Sequence, residues 1–264
     1  MEHLLSDAEA NYICAGVESG IREDGRGFCD LRTLVVENNV LPHVNGSSRV
    51  RLGLGTEILC SVKVEVTEAS EDAPTRGCLE VGVEVSPTCS QQQGGGAEGT
   101  RRLKEIGGEL AEFLRYVYMD SGCLDLDALC IIPGKFCWTV FVDVVLLQLD
   151  CNIVDACSLA IFVALDCTKV PSLKLVPGER GELEDFEVNG DLTGARELSV
   201  VNVPILVTVH GIGSQRVLDA SRDELQCAKG AMTVAVDCAG ICRNLHKQLA
   251  GTVSLDDIKA SVAM

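Results

Sequence analysis

The most informative part of the chain runs from Leu124 to Val170 and reads LDLDALCIIPGKFCWTVFVDVVLLQLDCNIVDACSLAIFVALDCTKV. Its apolar centre predicts a β-strand from Thr139 to Leu149. A turn at Asp150-Cys151-Asn152 follows, and the small and apolar residues after it predict a helix from Val154 to Leu165. A turn that leads into a helix N-terminus can hold an anion, because free backbone N–H groups and the helix dipole point towards the ligand. The stretch therefore predicts the frame of a phosphate-type site.

The composition indicates a soluble globular protein of one large or two small domains, since 47% of its 264 residues are hydrophobic. No apolar run reaches the roughly 18 residues of a membrane span, so no membrane partner is expected. Leu4-Leu5 lacks the basic and apolar regions of a secretory signal. With 39 acidic and 22 basic residues, the net charge of −17 opposes strong RNA binding by this chain alone.

The fourteen cysteines are expected to be free thiols, because nothing indicates secretion and no CxxC pair exists. Cys238, Cys242 and His246 have a spacing that would form a metal-binding face on one helix. Gly240 between them indicates a turn instead, and we favour the turn. No metal and no other cofactor is expected.

The first half of the chain alternates between strand and helix patterns. Ser6 and Glu9 have the spacing of a capping box, which predicts a helix from Asp7 to Glu18. Asn45-Gly46 predicts a hairpin turn between a strand at Val35-Val36 and a strand at Arg49–Leu52. The elements predicted after it are a strand at Ile58–Val66, a half-buried strand at Leu79–Val85, a loop at Gln91–Gly96 and an amphipathic helix at Glu105–Met119.

The second half begins with the acidic stretch Pro177–Asp191, which is interpreted as a solvated linker or exposed loop. The elements predicted after it are a strand at Ile205–Val209, a turn at Gly211-Ile212-Gly213, a strand at Val217–Leu218, a helix at Ser221–Cys227 and a strand at Met232–Val236. Strands outnumber helices, so the predicted class is α+β, with two mixed βα lobes of strand-rich sheets packed on helices.

Three motifs in order resemble the RNase PH family of phosphorolytic 3′→5′ exoribonucleases. They are Arg22-Glu23-Asp24-Gly25-Arg26, Gly46-Ser47-Ser48-Arg49-Val50 and Gly55-Thr56-Glu57-Ile58-Leu59, and Leu124–Val170 follows them. The resemblance covers nearly the whole chain and implies an RNase PH-like fold. It predicts an N-terminal helix and motif segment at 1–30, RNase PH domain 1 at 31–170, an acidic linker at 171–197 and RNase PH domain 2 at 198–264.

The positions that resemble the family's catalytic site lack its chemistry. Active members hold phosphate with Thr and Arg where this chain has Ile153 and Val154, and neither side chain can donate a hydrogen bond. Asp219 matches the first family carboxylate, but Lys229 and Ala231 replace the acidic pair that follows it. The nearby acids Asp223 and Glu224 are expected to be helix caps or solvated surface. The resemblance therefore implies a protein with no catalytic residues.

Two further motifs, Pro133-Gly134-Lys135-x-x-Trp138 and Asn152-x-x-Asp155-Ala156, resemble the non-catalytic ring subunits of the eukaryotic exosome. The resemblance implies a structural subunit that supports 3′–5′ RNA processing and degradation, including rRNA maturation and mRNA turnover. The implied partners are other RNase PH-type ring subunits, cap subunits and single-stranded RNA that passes through the assembled ring. The implied location is the nucleus, including the nucleolus, and the cytoplasm. An active phosphate-dependent exoribonuclease stays open as the alternative.

Arg101 and Arg102 are the candidate RNA-binding residues. They precede the helix predicted from Glu105, where phosphorolytic relatives carry a basic pair near the RNA. Guanidinium groups bind phosphate oxygens well, but a solvated loop pair is an equally good interpretation. Glu112 and Tyr116 stand where archaeal partner subunits carry Arg, which weakens the case for a site shared with a neighbouring subunit.

Overall fold

Two large sheets with helices packed on them, together with two smaller two-stranded sheets, make up the part of the chain that the structure describes, and the predicted α+β class is confirmed. The computed structural model describes residues 5–91, 96–177, 183–188, 194–249 and 251–263. Within these residues the helices are α1 (Asp7–Glu18), α2 (Gly96–Asp120), α3 (Ile153–Asp166), α4 (Arg222–Cys227) and α5 (Leu255–Ala263). The strands are β1 (Leu34–Asn38), β2 (Gly46–Leu52), β3 (Thr56–Glu68), β4 (Cys78–Val85), β5 (Cys130–Ile132), β6 (Phe136–Gln148), β7 (Lys169–Val170), β8 (Leu173–Pro177), β9 (Leu183–Val188), β10 (Arg196–Glu197), β11 (Ile205–Ile212), β12 (Gln215–Leu218), β13 (Gly230–Val236) and β14 (Cys242–Gln248).

The first sheet has the strand order β1-β2-β3-β6-β4, with β5 paired to β6. Its long central pair, β3 and β6, is antiparallel from Glu57 opposite Gln148 to Glu68 opposite Phe136. β4 lies parallel to β6, and α2, which lies between them in the chain, packs on β4. The alternating burial predicted for the strand at Ile58–Val66 is confirmed over Ile58 to Val64.

The hairpin turn predicted at Asn45-Gly46 is wrong in its position. β1 and β2 do pair, with Asn38 opposite Ser48, but the connection runs over 39–45 and Gly46 begins β2. A Cβ on Gly46 would lie 2.3 Å from Thr168 Oγ1, beside the end of α3. Gly46 is therefore required because the strand passes close to another element, and no tight turn uses it.

Helix α2 begins at Gly96, well before the predicted start at Glu105. The predicted loop at Gln91–Gly96 lies largely outside the described residues, which resume at Gly96. Arg101 and Arg102 consequently lie inside the helix and do not precede it. The prediction failed because Gly107-Gly108 and the polar residues before them obscure the apolar period.

The second sheet is antiparallel and has the order β12-β11-β13-β14. The predicted turn at Gly211-Ile212-Gly213 is displaced, because Gly211 and Ile212 belong to β11 and pair with β12. Gly213, with φ +59, instead begins the turn. The elements β14 and α5 were not predicted.

Helix α3 lies between the two sheets and packs against β2, β3 and β11. Its apolar composition therefore follows from burial on more than one side. Residues from its first turn to its last are buried, and they belong with the main core. Asp155, Ala156, Cys157, Ser158, Ala160, Ile161, Ala164 and Leu165 are the buried ones.

The segment predicted as an acidic linker contains regular structure. β8 and β9 form an antiparallel pair with Leu173 opposite Val188, and β10 pairs with β7. Part of the acidic stretch lies outside the described residues, so the domain boundaries at 171–197 stay a prediction. In the described part of the chain, we find no helix with the length and apolarity that a membrane crossing requires.

Candidate functional site

The turn before α3 is tied to the second lobe through Asn152. Asn152 has a left-handed backbone, with φ +52, which asparagine tolerates better than most residues. Its side chain does not cap α3; the Nδ2 group donates to Asp219 Oδ1 at 2.5 Å. The predicted turn and helix N-terminus are therefore present, and the Asp219 carboxylate lies where an anion would approach them.

Asp219 is buried and saturated with hydrogen-bond donors. Its carboxylate accepts bonds from the backbone N–H of Arg32 at 2.7 Å and from Arg32 Nη2 at 2.8 Å. Arg26 Nη1 donates to Asp219 Oδ2 at 3.0 Å. Burial alone would raise the pKa of Asp219, but the bonds and charge of Arg32 and the bond from Asn152 hold that pKa below 3.8. Asp219 is therefore ionised and fully used as an acceptor.

The Arg-x-Asp-Gly-Arg motif joins the N-terminal segment to the second lobe. Arg22 makes a bidentate pair with Glu224, at 2.9 Å from Nε and 2.7 Å from Nη2, and both side chains are buried. Arg22 also donates to the backbone oxygen of Asp219 at 2.9 Å. Asp24 holds Arg26 Nε at 2.6 Å, which directs Arg26 towards Asp219.

Glu224 is a helix cap, as expected, but it is buried and not solvated. It forms the capping box of α4 with Ser221, and it is buried against Arg22. The Glu224 carboxylate thus caps the N-terminus of α4 and also neutralises the buried guanidinium group of Arg22. That buried charge would be costly to leave unpaired.

The third family motif meets the same turn. Thr56 Oγ1 donates to the backbone oxygen of Cys151 at 2.8 Å. A Cβ on Gly55 would lie 2.8 Å from Asp150, so glycine lets the connection between β2 and β3 approach this turn closely. Arg32 Nη1 reaches Asp150 at 3.3 Å and thereby links the turn to the Asp219 cluster.

The two phosphate positions are apolar in the structure as in the sequence. Ile153 and Val154 begin α3 and pack against the main hydrophobic core. Arg222 Nε lies 3.6 Å from Asp150 across the turn, so this further cation is also paired. Each guanidinium group described at this site has a carboxylate partner.

The positions that replace the acidic pair offer no acid either. Ala231 is buried opposite His210 on β11. Burial lowers the pKa of His210 to about 4, so its imidazole is neutral at pH 7. Lys229 precedes β13 and its backbone N–H donates to Gly211 at 2.9 Å. Lys229 therefore lies at the end of the second sheet, away from the Asp219 contacts.

Asp155 forms a second link between the lobes. Its carboxylate accepts bonds from Thr208 N at 2.9 Å and Thr208 Oγ1 at 2.6 Å. Burial raises the pKa of Asp155 to about 7, although both bonds from Thr208 lower it. Asp155 belongs to a motif noted in the sequence, but its pairing with Thr208 could not be predicted because the two residues lie in different lobes.

Arg101 and Arg102 are exposed on α2 and paired along the helix. Arg101 Nε contacts Glu105 at 2.9 Å, and Arg102 Nη2 lies 3.8 Å from Glu98. Such exposed pairs contribute little to stability and exchange easily for another anion. A contact of Arg101 and Arg102 with RNA stays a prediction. Tyr116 is also exposed on this helix.

Cys238, Cys242 and His246 do not come together. Gly240, with φ +75, forms the expected turn. Cys242 and His246 lie on β14, where a separation of four residues is roughly 13 Å. His246 stacks on Phe113 of α2 with 4.5 Å between ring centroids.

Comparison with known proteins defines the class. Models of the 3′ exoribonuclease family, which is the RNase PH family, match domain 1 over residues 30–171 and domain 2 over residues 202–263. The chain belongs to this family, as its motifs indicated.

The relatives define the branch of the family to which this chain is similar. The protein of Methanocella arvoryzae named exosome complex component Rrp42 is 32% identical over 97% of this chain and 91% of its own length. The protein of Dictyostelium discoideum named putative exosome complex exonuclease RRP42 is 32% identical over 90% of this chain and 86% of its own.

Solved structures agree with the sequence relatives. The archaeal exosome core matches with a TM-score of 0.75 and 28% identity over 97% of this chain and 91% of that chain. The Archaeoglobus fulgidus exosome with RNA bound to the active site matches with a TM-score of 0.77 and 28% identity over 97% and 93%.

The residues that sequence reasoning missed are Arg32 and Asp150. Arg32 belongs to no recognised motif, and its partner Asp219 is 187 positions away. Arg32 lies between the motif residue Arg26 and strand β1, and this position was the available signal. The position alone does not indicate which carboxylate Arg32 contacts.

Proposed function

We propose that this chain is a non-catalytic structural subunit of an exosome ring. In that role it supports 3′–5′ RNA processing and degradation by holding neighbouring subunits and by forming part of the RNA path. The relatives named exosome component Rrp42 and the matching exosome cores support the assembly.

The saturated carboxylate of Asp219 carries the non-catalytic part of the proposal. An ionised carboxylate offers about four lone-pair positions, and here Arg26, Arg32 and Asn152 take up both oxygens. A metal ion or a protonated reactant would have to displace an arginine whose own charge needs Asp219. The group therefore holds the lobes together and is not available for proton transfer.

The turn before α3 supports the same conclusion from the phosphate side. Phosphorolysis requires phosphate to be held and its developing charge stabilised. Ile153 and Val154 supply no donor, and the carboxylates of Asp150 and Asp219 lie beside the turn. Loss of such donors corresponds to several kcal/mol of transition-state stabilisation, on the order of 10³-fold in rate.

Exposed strand edges support a role in assembly. β1 is an edge strand whose five residues are all exposed, and it carries Leu34, Val35 and Val36. β14 is one of the two edge strands of the second sheet. Natural proteins cover apolar edges, so RNase PH-type neighbours and cap subunits are the proposed partners. The proposed location is the nucleus, including the nucleolus, and the cytoplasm.

A phosphorolysis assay tests the catalytic part. The purified chain is incubated with phosphate, Mg²⁺ and labelled single-stranded RNA, and release of nucleoside diphosphate is measured. We expect no release above a no-enzyme control, whereas a phosphorolytic member of the family serves as positive control. Circular dichroism establishes that the chain is folded. Turnover that Asp219→Ala abolishes would show an active exoribonuclease and refute the proposal.

Co-purification tests the assembly part independently. The tagged chain is recovered from its native cells, and its stable partners are identified by mass spectrometry. We expect RNase PH-type subunits in a hetero-oligomer, and poor solubility or self-association of the chain made alone. A well-behaved monomer that ignores such subunits would contradict the assembly.

A further inference from the structure

Two cysteines from distant parts of the chain meet where α1 packs on α4. Cys14 lies in α1, and Cys227 is the last residue of α4. The Cys227 thiol donates a weak hydrogen bond to the backbone oxygen of Ala10, with 3.8 Å between sulfur and oxygen. Both cysteines pack against a small apolar cluster that consists of Ile13, Val17, Ile212 and Val217. Neither cysteine contacts the Asp219 carboxylate, so the pair is separate from the candidate site.

The direction of side chains in a helix brings the two sulfur atoms together. A helical side chain points back towards the helix N-terminus and covers the turn before its own Cα. Ala10 lies one turn before Cys14, so the Cys14 side chain points towards the turn that Cys227 Sγ contacts. Ala10 and Cys14 share the face of α1 that carries the buried residues Ile13 and Val17. The two thiols therefore face each other across the contact between α1 and α4.

The electrostatics of Cys227 agree with a direct contact between the thiols. Burial, and then the charge and hydrogen bond of the neighbouring Cys14 thiol, raise the pKa of Cys227 to about 11. The carboxylates of Asp223 and Glu23 act in the same direction. Both cysteines are free. A disulfide requires an S–S separation of about 2 Å, which two thiols in hydrogen-bond contact reach by a small change of side-chain torsion.

The pair is accessible to a small oxidant. Cys14 and Cys227 are both half-buried, so part of each residue remains in contact with solvent. Cys130 and Cys137 also lie opposite each other, in the pairing of β5 with β6, but Cys137 is only 2% exposed. This second pair provides an internal comparison, because its sulfur atoms are neighbours in a less accessible place.

We propose that Cys14 and Cys227 form a reversible disulfide that links α1 to the second lobe when a hydroperoxide oxidises the chain. The thiolate of one cysteine attacks a peroxide oxygen, the O–O bond breaks, hydroxide leaves and a sulfenic acid forms. The thiolate of the other cysteine attacks this sulfur, the S–O bond breaks, and a second hydroxide leaves as the S–S bond forms. The two thiols thus lose two electrons and two protons, and hydrogen peroxide becomes two molecules of water.

Oxidation of the full chain followed by peptide mapping tests the pair. The reduced chain is treated with hydrogen peroxide, the remaining thiols are blocked with iodoacetamide, and the product is digested with trypsin. Trypsin cleaves after lysine and arginine, so Cys14 is the sole cysteine of fragment 1–22 and Cys227 is the sole cysteine of fragment 223–229. We expect the disulfide-linked pair of these fragments to be the main linked product in mass spectrometry.

Oxidation in urea separates a contact of the folded chain from chance pairing. Cysteines roughly 200 positions apart in an unfolded chain meet rarely, so the linked fraction should fall at least about tenfold. Cys14→Ala should abolish the link, with its fold compared by circular dichroism. Cys29→Ala is the matched control, because Cys29 is an exposed cysteine of the same N-terminal segment, and it should leave the link unchanged. The two fragments identify the pair in the wild-type chain even if Cys14→Ala does not fold.

The stability of the linked chain is the second measurement. A disulfide that closes a long loop restricts the unfolded chain. The urea midpoint of the oxidised chain should therefore rise, and dithiothreitol should return it to the value of the reduced chain. The proposal is overturned if the folded wild type gives no linked fragments, or if the link forms equally well in urea. It is equally overturned if Cys130 and Cys137 give the main product, or if the link does not raise the midpoint.

Discussion

Replacement of Asp219 by asparagine removes the charge that holds Arg26 and Arg32 against the second lobe. The Asp219 side chain is 1% exposed, and those of Arg26 and Arg32 are 14% and 15% exposed. Removal of one partner from a buried ion pair costs about 3–5 kcal/mol. Because both arginines keep some contact with solvent and asparagine retains one acceptor oxygen, we expect a loss of about 2–4 kcal/mol at pH 7.

The effect of Asp219→Asn should depend on pH in a defined direction. Burial raises the pKa of Asp219, but the bonds from Arg32 outweigh it and the folded pKa lies below 3.8. A depressed pKa contributes stability above the unfolded pKa, and this contribution is lost as the pH falls through the folded pKa. The difference between wild type and variant should therefore be full above about pH 5 and shrink below about pH 4.

Urea unfolding followed by circular dichroism measures this difference. The control is Asp127→Asn, which removes the partner of Arg76 in a pair whose side chains are 57% and 73% exposed. We expect a change of less than about 1 kcal/mol for this exposed pair. An Asp219→Asn variant within about 0.5 kcal/mol of the wild type at pH 7 would refute the structural role of the cluster.

Three further predictions concern the lobe interface, RNA and the first sheet. Asp155→Asn should remove a loss of stability between about pH 4 and pH 7, because burial raises the folded pKa of this carboxyl to about 7 while the unfolded chain releases the proton at a lower pH. A wild-type-to-variant difference that is constant from pH 4 to 8 in urea unfolding would exclude this. Replacement of Arg101 and Arg102 by Glu should weaken RNA binding by the assembled ring and reduce the slope of log K against log salt by roughly one unit per lost contact, and an unchanged slope would return the pair to a solvated role. Gly46→Ala should destabilise the chain by about 1–3 kcal/mol, because its Cβ would overlap Thr168; an unfolding midpoint equal to that of the wild type would contradict it.

The elements with strong local patterns could be predicted from the sequence. The capping box of Ser6 and Glu9 gave α1 with its observed bounds. The apolar run and the small residues after it gave β6 and α3 to within a few residues. These elements depend on residues close together in the chain, so their signals are complete in a short window.

Features that depend on distant contacts could not be predicted. Gly46 looked like a turn residue, but its role is to let β2 pass α3 closely. Arg101 and Arg102 looked like loop residues because the weakly apolar start of α2 has no clear period. In each case the deciding neighbour lies elsewhere in the sequence.

The positions of the candidate site could be predicted from the sequence, but their contacts were only partly foreseen. Ile153, Val154 and Asp219 do lie at the turn before α3 or at its approach. The sequence indicated lost donors, whereas the structure adds that Arg26 and Arg32 neutralise the remaining carboxylate. Ion pairs across 193 and 187 positions leave no local pattern to detect.

The pair between Arg22 and Glu224 has a consequence for the order of events during synthesis. The two residues are 202 positions apart, so at roughly 5–20 residues per second Glu224 is added about 10–40 s after Arg22. During this interval the nascent chain contains Arg22 without the Glu224 carboxylate that neutralises it, whereas Arg26 already has Asp24 beside it. The segment that carries Arg22 is thus translated well before it can dock against its partner in the second lobe.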